Sequence, residues 1–128
     1  MDTEATARAQ GAHIEPKVIR ANQFVLEDEN GKTRAALDVA KDGVPGLYLY
    51  DDTGTPRIML GVSKGGSVLA LCDKNGKTII SLTVSNDGSS LRLSDDNGKT
   101  RAVLDMGNDG VPGLALLYAN GVRMWSKP

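Results

Sequence analysis

The sequence predicts an all-β chain of five tandem β-hairpins, an antiparallel meander that forms a curved or prism-like sheet and is completed by oligomerisation. Two interleaved glycine series point there first. Gly31, Gly54, Gly76, Gly98 and Gly121 recur at spacings of 22 or 23 residues, and Gly43, Gly66, Gly88 and Gly110 recur at the same interval. Asn-Gly pairs then mark one end of the repeat at Asn30-Gly31, Asn75-Gly76, Asn97-Gly98 and Asn120-Gly121, with Thr53-Gly54 in the equivalent place. Both residues tolerate the positive φ angles of tight hairpin turns, so this dipeptide between alternating runs is a strong hairpin signal. Asp42-Gly43, Asp87-Gly88 and Asp109-Gly110 close the other end, with Gly65-Gly66 standing in once. Finally, the intervening segments alternate in polarity with the two-residue period of a strand.

In chain order, residues 1–16 are Ala/Thr/Glu-rich, hold the single histidine, His13, and read as a mobile tail or short helix. Residues 17–128 form one repeat domain, in which Lys17–Gln23 extends or caps the first strand. Strands are expected at Phe24–Asp28, Thr33–Val39, Leu47–Asp51, Pro56–Val62, Val68–Asp73, Thr78–Val84, Ser90–Asp95, Thr100–Met106, Leu114–Tyr118 and Val122–Ser126. Each has an ordinary strand length. One parity reads Leu47/Leu49, Leu69/Leu71, Leu91/Leu93 and Leu114/Leu116, matched by Ala35/Leu37/Val39, Ile58/Leu60/Val62, Ile80/Leu82/Val84 and Ala102/Leu104/Met106. This aliphatic face is expected to be buried and to be the main stabilising term, at roughly 1.5–3 kcal/mol per large side chain.

The opposite parity is mixed. It holds Arg34, Asp38, Arg57, Arg92, Arg101 and Asp105, but also Tyr48, Tyr50, Met59, Ala70, Cys72, Ile79, Val103 and Leu117. A face this apolar implies contact with the first 23 residues or with another subunit. Met59, Ile79, Val103, Leu117 and Trp125 are the expected oligomer-interface residues. Segment 28–51 aligned on 95–118 gives 16 identities in 24 positions, sharing NGKTRA, Leu-Asp and DGVPGL. That superperiod of three hairpins reads either as a triangular wrap or as a duplicated three-hairpin block.

Composition narrows the function. Fifteen Lys+Arg stand against 16 Asp+Glu, for a formal net charge of -1, which gives no electrostatic reason to expect nucleic acid or an anionic membrane as partner. No run approaches the roughly 18 apolar residues of a membrane helix, and the start, MDTEATARAQGAHIEP, has no apolar signal core, so a cytoplasmic chain is expected. One cysteine excludes an intrachain disulfide framework and a multi-cysteine metal site.

Motifs with chemical potential have plainer structural readings. Acidic clusters precede the turn glycines (Glu27-Asp28-Glu29, Asp51-Asp52, Asp95-Asp96), but none completes a calcium-loop pattern, and Asp favours turns because its side chain bonds the nearby backbone. NGKT at Lys32, Lys77 and Lys99 resembles the end of a phosphate loop without its upstream glycine, and a lysine here solubilises a hairpin tip. Arg34 with Asp38, and Arg101 with Asp105, share a strand face and suit surface or interface ladders. Cys72 lies in the apolar run VLALCD, and one distant histidine builds neither a catalytic triad nor a zinc site. No cofactor, metal or catalytic residue is therefore expected.

The repeat D-x-N-G-K-T-R-A-x-L-D followed by D-G-V-P-G-L-x-L resembles tandem repeats in uncharacterised bacterial proteins, over roughly residues 18–128. There, segments like IRANQFVLEDENGKTRAALDV open a series that ends in a Trp-containing strand, as MWSKP does here. The resemblance implies a hairpin-repeat fold and brings no activity. The expectation is a non-enzymatic structural or interaction protein that self-assembles as a homo-oligomer, with a trimer as the working number. One alternative is a carbohydrate- or surface-binding module, adhesin- or fibre-like, using Tyr48, Tyr50 and Arg57. Another is an enzyme with an intersubunit site built from Arg34, Asp38, Arg101 or Asp105.

Overall fold

Ten strands follow one another: β1 (Gln23–Glu27), β2 (Thr33–Val39), β3 (Pro45–Tyr50), β4 (Pro56–Ser63), β5 (Gly66–Cys72), β6 (Thr78–Ser85), β7 (Gly88–Ser94), β8 (Thr100–Gly107), β9 (Pro112–Leu117) and β10 (Arg123–Lys127). In this computed structural model residues 18–127 are described; the tail expected over 1–16 lies outside them. The strands form one ten-stranded antiparallel sheet in the order of the chain, β1 to β10, with β1 and β10 as separate edges. The all-β hairpin meander is therefore observed, and the sheet does not close on itself. Each strand contacts only its neighbours in sequence, so no second layer packs on the sheet among the described residues.

Turn chemistry sets the register. At the first loop Gly31 N donates to Asp28 O (3.0 Å) and Asp28 N donates to Lys32 O (2.9 Å). The Asp28 carboxylate also accepts from the amides of Asn30 (3.0 Å) and Lys32 (3.1 Å). Asp51, Asp73 and Asp95 repeat this pattern. This is a type I turn closed by a glycine bulge, with Asp at its first position and Gly at its fourth. It differs from the expected tight turn with Asn at positive φ. Among the described residues only glycines take positive φ, Gly31 at 74° among them, and Asn30 stays in the ordinary region. It also explains why β1, β3, β5 and β7 stop short of the aspartates: the carboxylate bonds two loop amides and so starts the loop.

The opposite ends use two loop forms. Ala40–Val44 and Gly107–Val111 repeat the turn-plus-bulge geometry, with Asp42 and Asp109 accepting from the Val44 and Val111 amides. The other two are two-residue connections, pairing Ser63 with Gly66 and Ser85 with Gly88. Gly88 has φ 120°, and a Cβ there would collide with the Met106 carbonyl oxygen on the neighbouring strand.

Gly88 and Gly31 separate two roles of glycine. Gly31→Ala meets no atom within 4 Å and carries only the left-handed backbone cost, about 1–2 kcal/mol. Gly88→Ala adds displacement of β8 and should lower Tm more. Thermal unfolding of both variants checks this, and an equal or smaller drop for Gly88→Ala contradicts it.

Candidate interaction surface

The register stacks side chains into rows that cross the sheet. One row runs Phe24, Leu37, Leu47, Leu60, Leu69, Leu82, Leu91, Leu104, Leu114, so eight consecutive strands place leucine against leucine. The row beside it runs Leu26, Ala35, Leu49, Ile58, Leu71, Ile80, Leu93, Ala102, Leu116, Trp125 and spans all ten strands. The first row continues on β10 to Lys127, opposite Leu114, and the second contains no charged residue.

The alternation predicts burial of this face, and within one chain it is not buried. Leu37, Leu60, Leu82 and Leu104 are 48%, 45%, 51% and 51% exposed. Among the described residues the buried apolar ones are Ala36, Ala70 and Cys72, all on the mixed face. The reason is architectural: a single sheet has no layer to set against its leucines, whereas small residues on the other face are shaded by larger neighbours.

On that mixed face a row runs Val25, Ala36, Tyr48, Met59, Ala70, Ser81, Arg92, Val103, Ala115, Ser126. Alternation of small and large side chains leaves two open depressions. One, of about 600 Å³, is lined by polar groups including Thr83, Ser90, Arg92, Asp105 and Arg123. The other, of about 490 Å³, is lined by Tyr48, Met59, Ala70 and Ser81 among others.

The sequence-derived candidates scatter over this face. Tyr48 and Tyr50 stack with ring centroids 6.4 Å apart, and Tyr48 covers Gly46. Partial burial pushes the Tyr50 hydroxyl above its usual range, helped by the negative charge of Asp38 and by Tyr48. Arg57 is held by two other partners: its Nε donates to Cys72 O (2.9 Å) and its Nη1 to Asp51 Oδ2 (3.4 Å). Met59, Ile79, Val103 and Leu117 are half-buried on the mixed-face parity, whereas Trp125 lies opposite Leu116 on the leucine face.

The arginines that share a strand face with Asp38 and Asp105 pair with the loop aspartates. Arg34 meets Asp28 (4.0 Å) rather than Asp38, and Arg101 meets Asp95 (3.9 Å) rather than Asp105. Arg57 with Asp51 (3.4 Å) follows the same rule, an arginine six residues after the loop aspartate. Residues four apart along a strand are separated by about 13 Å, while the turn folds the sixth residue back onto the aspartate. Asp38 instead accepts from Gln23 Nε2 (3.5 Å). Among the described residues no group of three or more His, Cys, Asp or Glu could hold a metal ion, and no helix is long and apolar enough to cross a membrane.

The lysines after the turn glycines have a role that the sequence reading missed. Lys32 Nζ donates to the carbonyl of Asp52, Lys77 Nζ to Asp96 O (2.6 Å) and Lys99 Nζ to Ala119 O (3.3 Å). Each lysine ties its loop to the next loop along the same edge. The 22–23-residue repeat, laid out as adjacent hairpins, carries that signal, since Lys and the following turn fall side by side.

The chain matches no protein-family model and no curated protein. One similar solved structure is a mutant of S. aureus TarM in complex with Fondaparinux, alpha-GlcNAc-glycerol and UDP, at 13% identity and a TM-score of 0.45. The likeness covers 97% of this chain and 22% of that one, so this chain spans less than a quarter of its length.

The loop carboxylates give a pH dependence. The Thr53 hydroxyl and the amides of Thr55 and Thr53 hold Asp51 down to about 2 from 3.8, and backbone amides lower Asp28 and Asp73 as well. Groups depressed in the folded state stabilise it above their unfolded value, and that contribution is lost as pH falls through the folded value. Tm is therefore expected to hold from neutral pH to about 4 and to fall between about 4 and 2. Asp51→Asn should lower Tm at neutral pH and show a smaller acid-induced fall than wild type. Identical acid profiles for the two proteins would contradict this role.

Proposed function

We propose that this is a non-enzymatic structural protein that self-assembles, burying the leucine face between copies of the same chain. One observation carries the reading: two apolar rows, charged only at Lys127 on the last strand, are exposed at most of their positions in a chain with no second layer among its described residues. Nine inter-strand spacings of about 4.8 Å and two rows each about 7 Å wide give an apolar band on the order of 600 Å². Monomeric soluble proteins rarely expose a contiguous apolar patch larger than about 300–600 Å². Two such bands together come to about 1,200 Å², the lower end of stable protein–protein interfaces. A second copy is the occupant that brings an equally long surface of the same leucines. A single buried cysteine suits the reducing cytoplasm, which we take as its setting.

Light scattering coupled to gel filtration tests the assembly. The expected mass is two or more multiples of the 13.5 kDa chain. Leu60→Asp with Leu82→Asp, which set charges in adjoining parts of the leucine row, should lower its mass. A 13.5 kDa species at high micromolar concentration would refute self-assembly, and an unchanged oligomer in the double variant would refute the leucine face as its contact.

A further inference from the structure

The sheet ends in two open strand edges, and they complement each other. Ten strands alternate in direction, so β10 runs opposite to β1. A second copy in the same orientation therefore offers its β1 to β10 as an antiparallel partner, with the leucine faces on one side. β1 carries no proline or lysine to block pairing, and edge strands of that kind are templates for another chain. The ladder to β2 uses the backbone of alternate β1 residues, with Val39 N donating to Asn22 O. Val25 accordingly turns its amide and carbonyl to the open edge.

The register of such a junction follows from those within the chain. Wherever one hairpin meets the next, the residue four after a turn glycine lies opposite the residue five before the following one. Ala35 with Leu49, Ile58 with Leu71, Ile80 with Leu93 and Ala102 with Leu116 all obey this count. The same count from Gly121 of one copy to Gly31 of the next sets Trp125 opposite Leu26, Ser126 opposite Val25, and Arg123 level with Asp28. Trp125, 44% exposed, and Leu26, 63% exposed, would then each gain the cross-strand neighbour that the chain alone denies them. Arg123 would meet an opposite charge, which favours this register over slipped ones.

We propose that copies join head to tail by pairing β10 of one with β1 of the next, so that a single meander and a single leucine face run on through successive chains. This rests on the self-assembly reading above and adds to it a second contact, at the sheet edges rather than on the leucine face. Cysteine cross-linking tests it in the full chain with Cys72→Ala, using Val25→Cys together with Ser126→Cys. Neither residue is on the leucine face, and residues directly opposite in a ladder lie about 4.5–5.5 Å apart, within disulfide range. Oxidation should convert the double variant to covalent multimers with loss of the monomer band, while either single variant stays uncross-linked. A double variant that is assembled by light scattering yet stays monomeric on oxidation overturns head-to-tail pairing and leaves self-assembly standing. A faster-migrating monomer, with both edges joined in one chain, also overturns it, as do dimers of Val25→Cys alone. A chain already monomeric before oxidation removes the self-assembly reading itself.

Discussion

The structure depends on register. A shift of one residue between any two strands would set the leucines on one side of it on the opposite face from the rest. What prevents it is the turn backbone with its glycine bulge, reinforced in four loops by an aspartate whose carboxylate ties two amides. Asp28, Asp51, Asp73 and Asp95 set this geometry four times, and each bulge restores the same pairing on the far side of the turn. The last loop has Tyr118 instead, keeps the same backbone bonds and fills the Val122 amide from Asn120 Oδ1. The backbone pattern is thus the primary device, and the carboxylate reinforces it. The lysine bridges from loop to loop then fix neighbouring hairpins along one edge.

Once register is set, the two faces have different fates. The mixed face resolves much of its own burial, because Ala36, Ala70, Gly46 and Gly61 sit beside Tyr48, Met59 and Val68. The leucine face cannot, because every strand contributes to it and no strand lies across it. With the leucines covered by another copy, the outward surface would consist of the mixed face, its two depressions and the loop edges.

The repeat, the strand order and the parity of the faces are legible in the sequence because they follow from glycine spacing and the two-residue period. The turn type at Asn30 is not: the decisive signal is Asp28 three residues before Gly31, rather than the Asn-Gly pair. The partner of Arg34 is hidden for a related reason, since distance along a strand separates Arg34 from Asp38 whereas the turn brings Asp28 back. Burial of the leucines misleads on different grounds. Parity tells which residues share a face, but burial needs an opposing layer, and the described residues contain none. The bridging lysines are obscured because each one acts on the next hairpin, not its own.

Self-assembly through the leucine row requires that this row be shielded from water in the native protein. The most direct measurement is the broadening of leucine methyl NMR signals by a soluble paramagnetic probe. Shielded signals for Leu60, Leu82 and Leu104, with stronger broadening of the Met59 methyl on the opposite face, are the predicted result. Leucine methyls broadened as strongly as residues in the loops would contradict it.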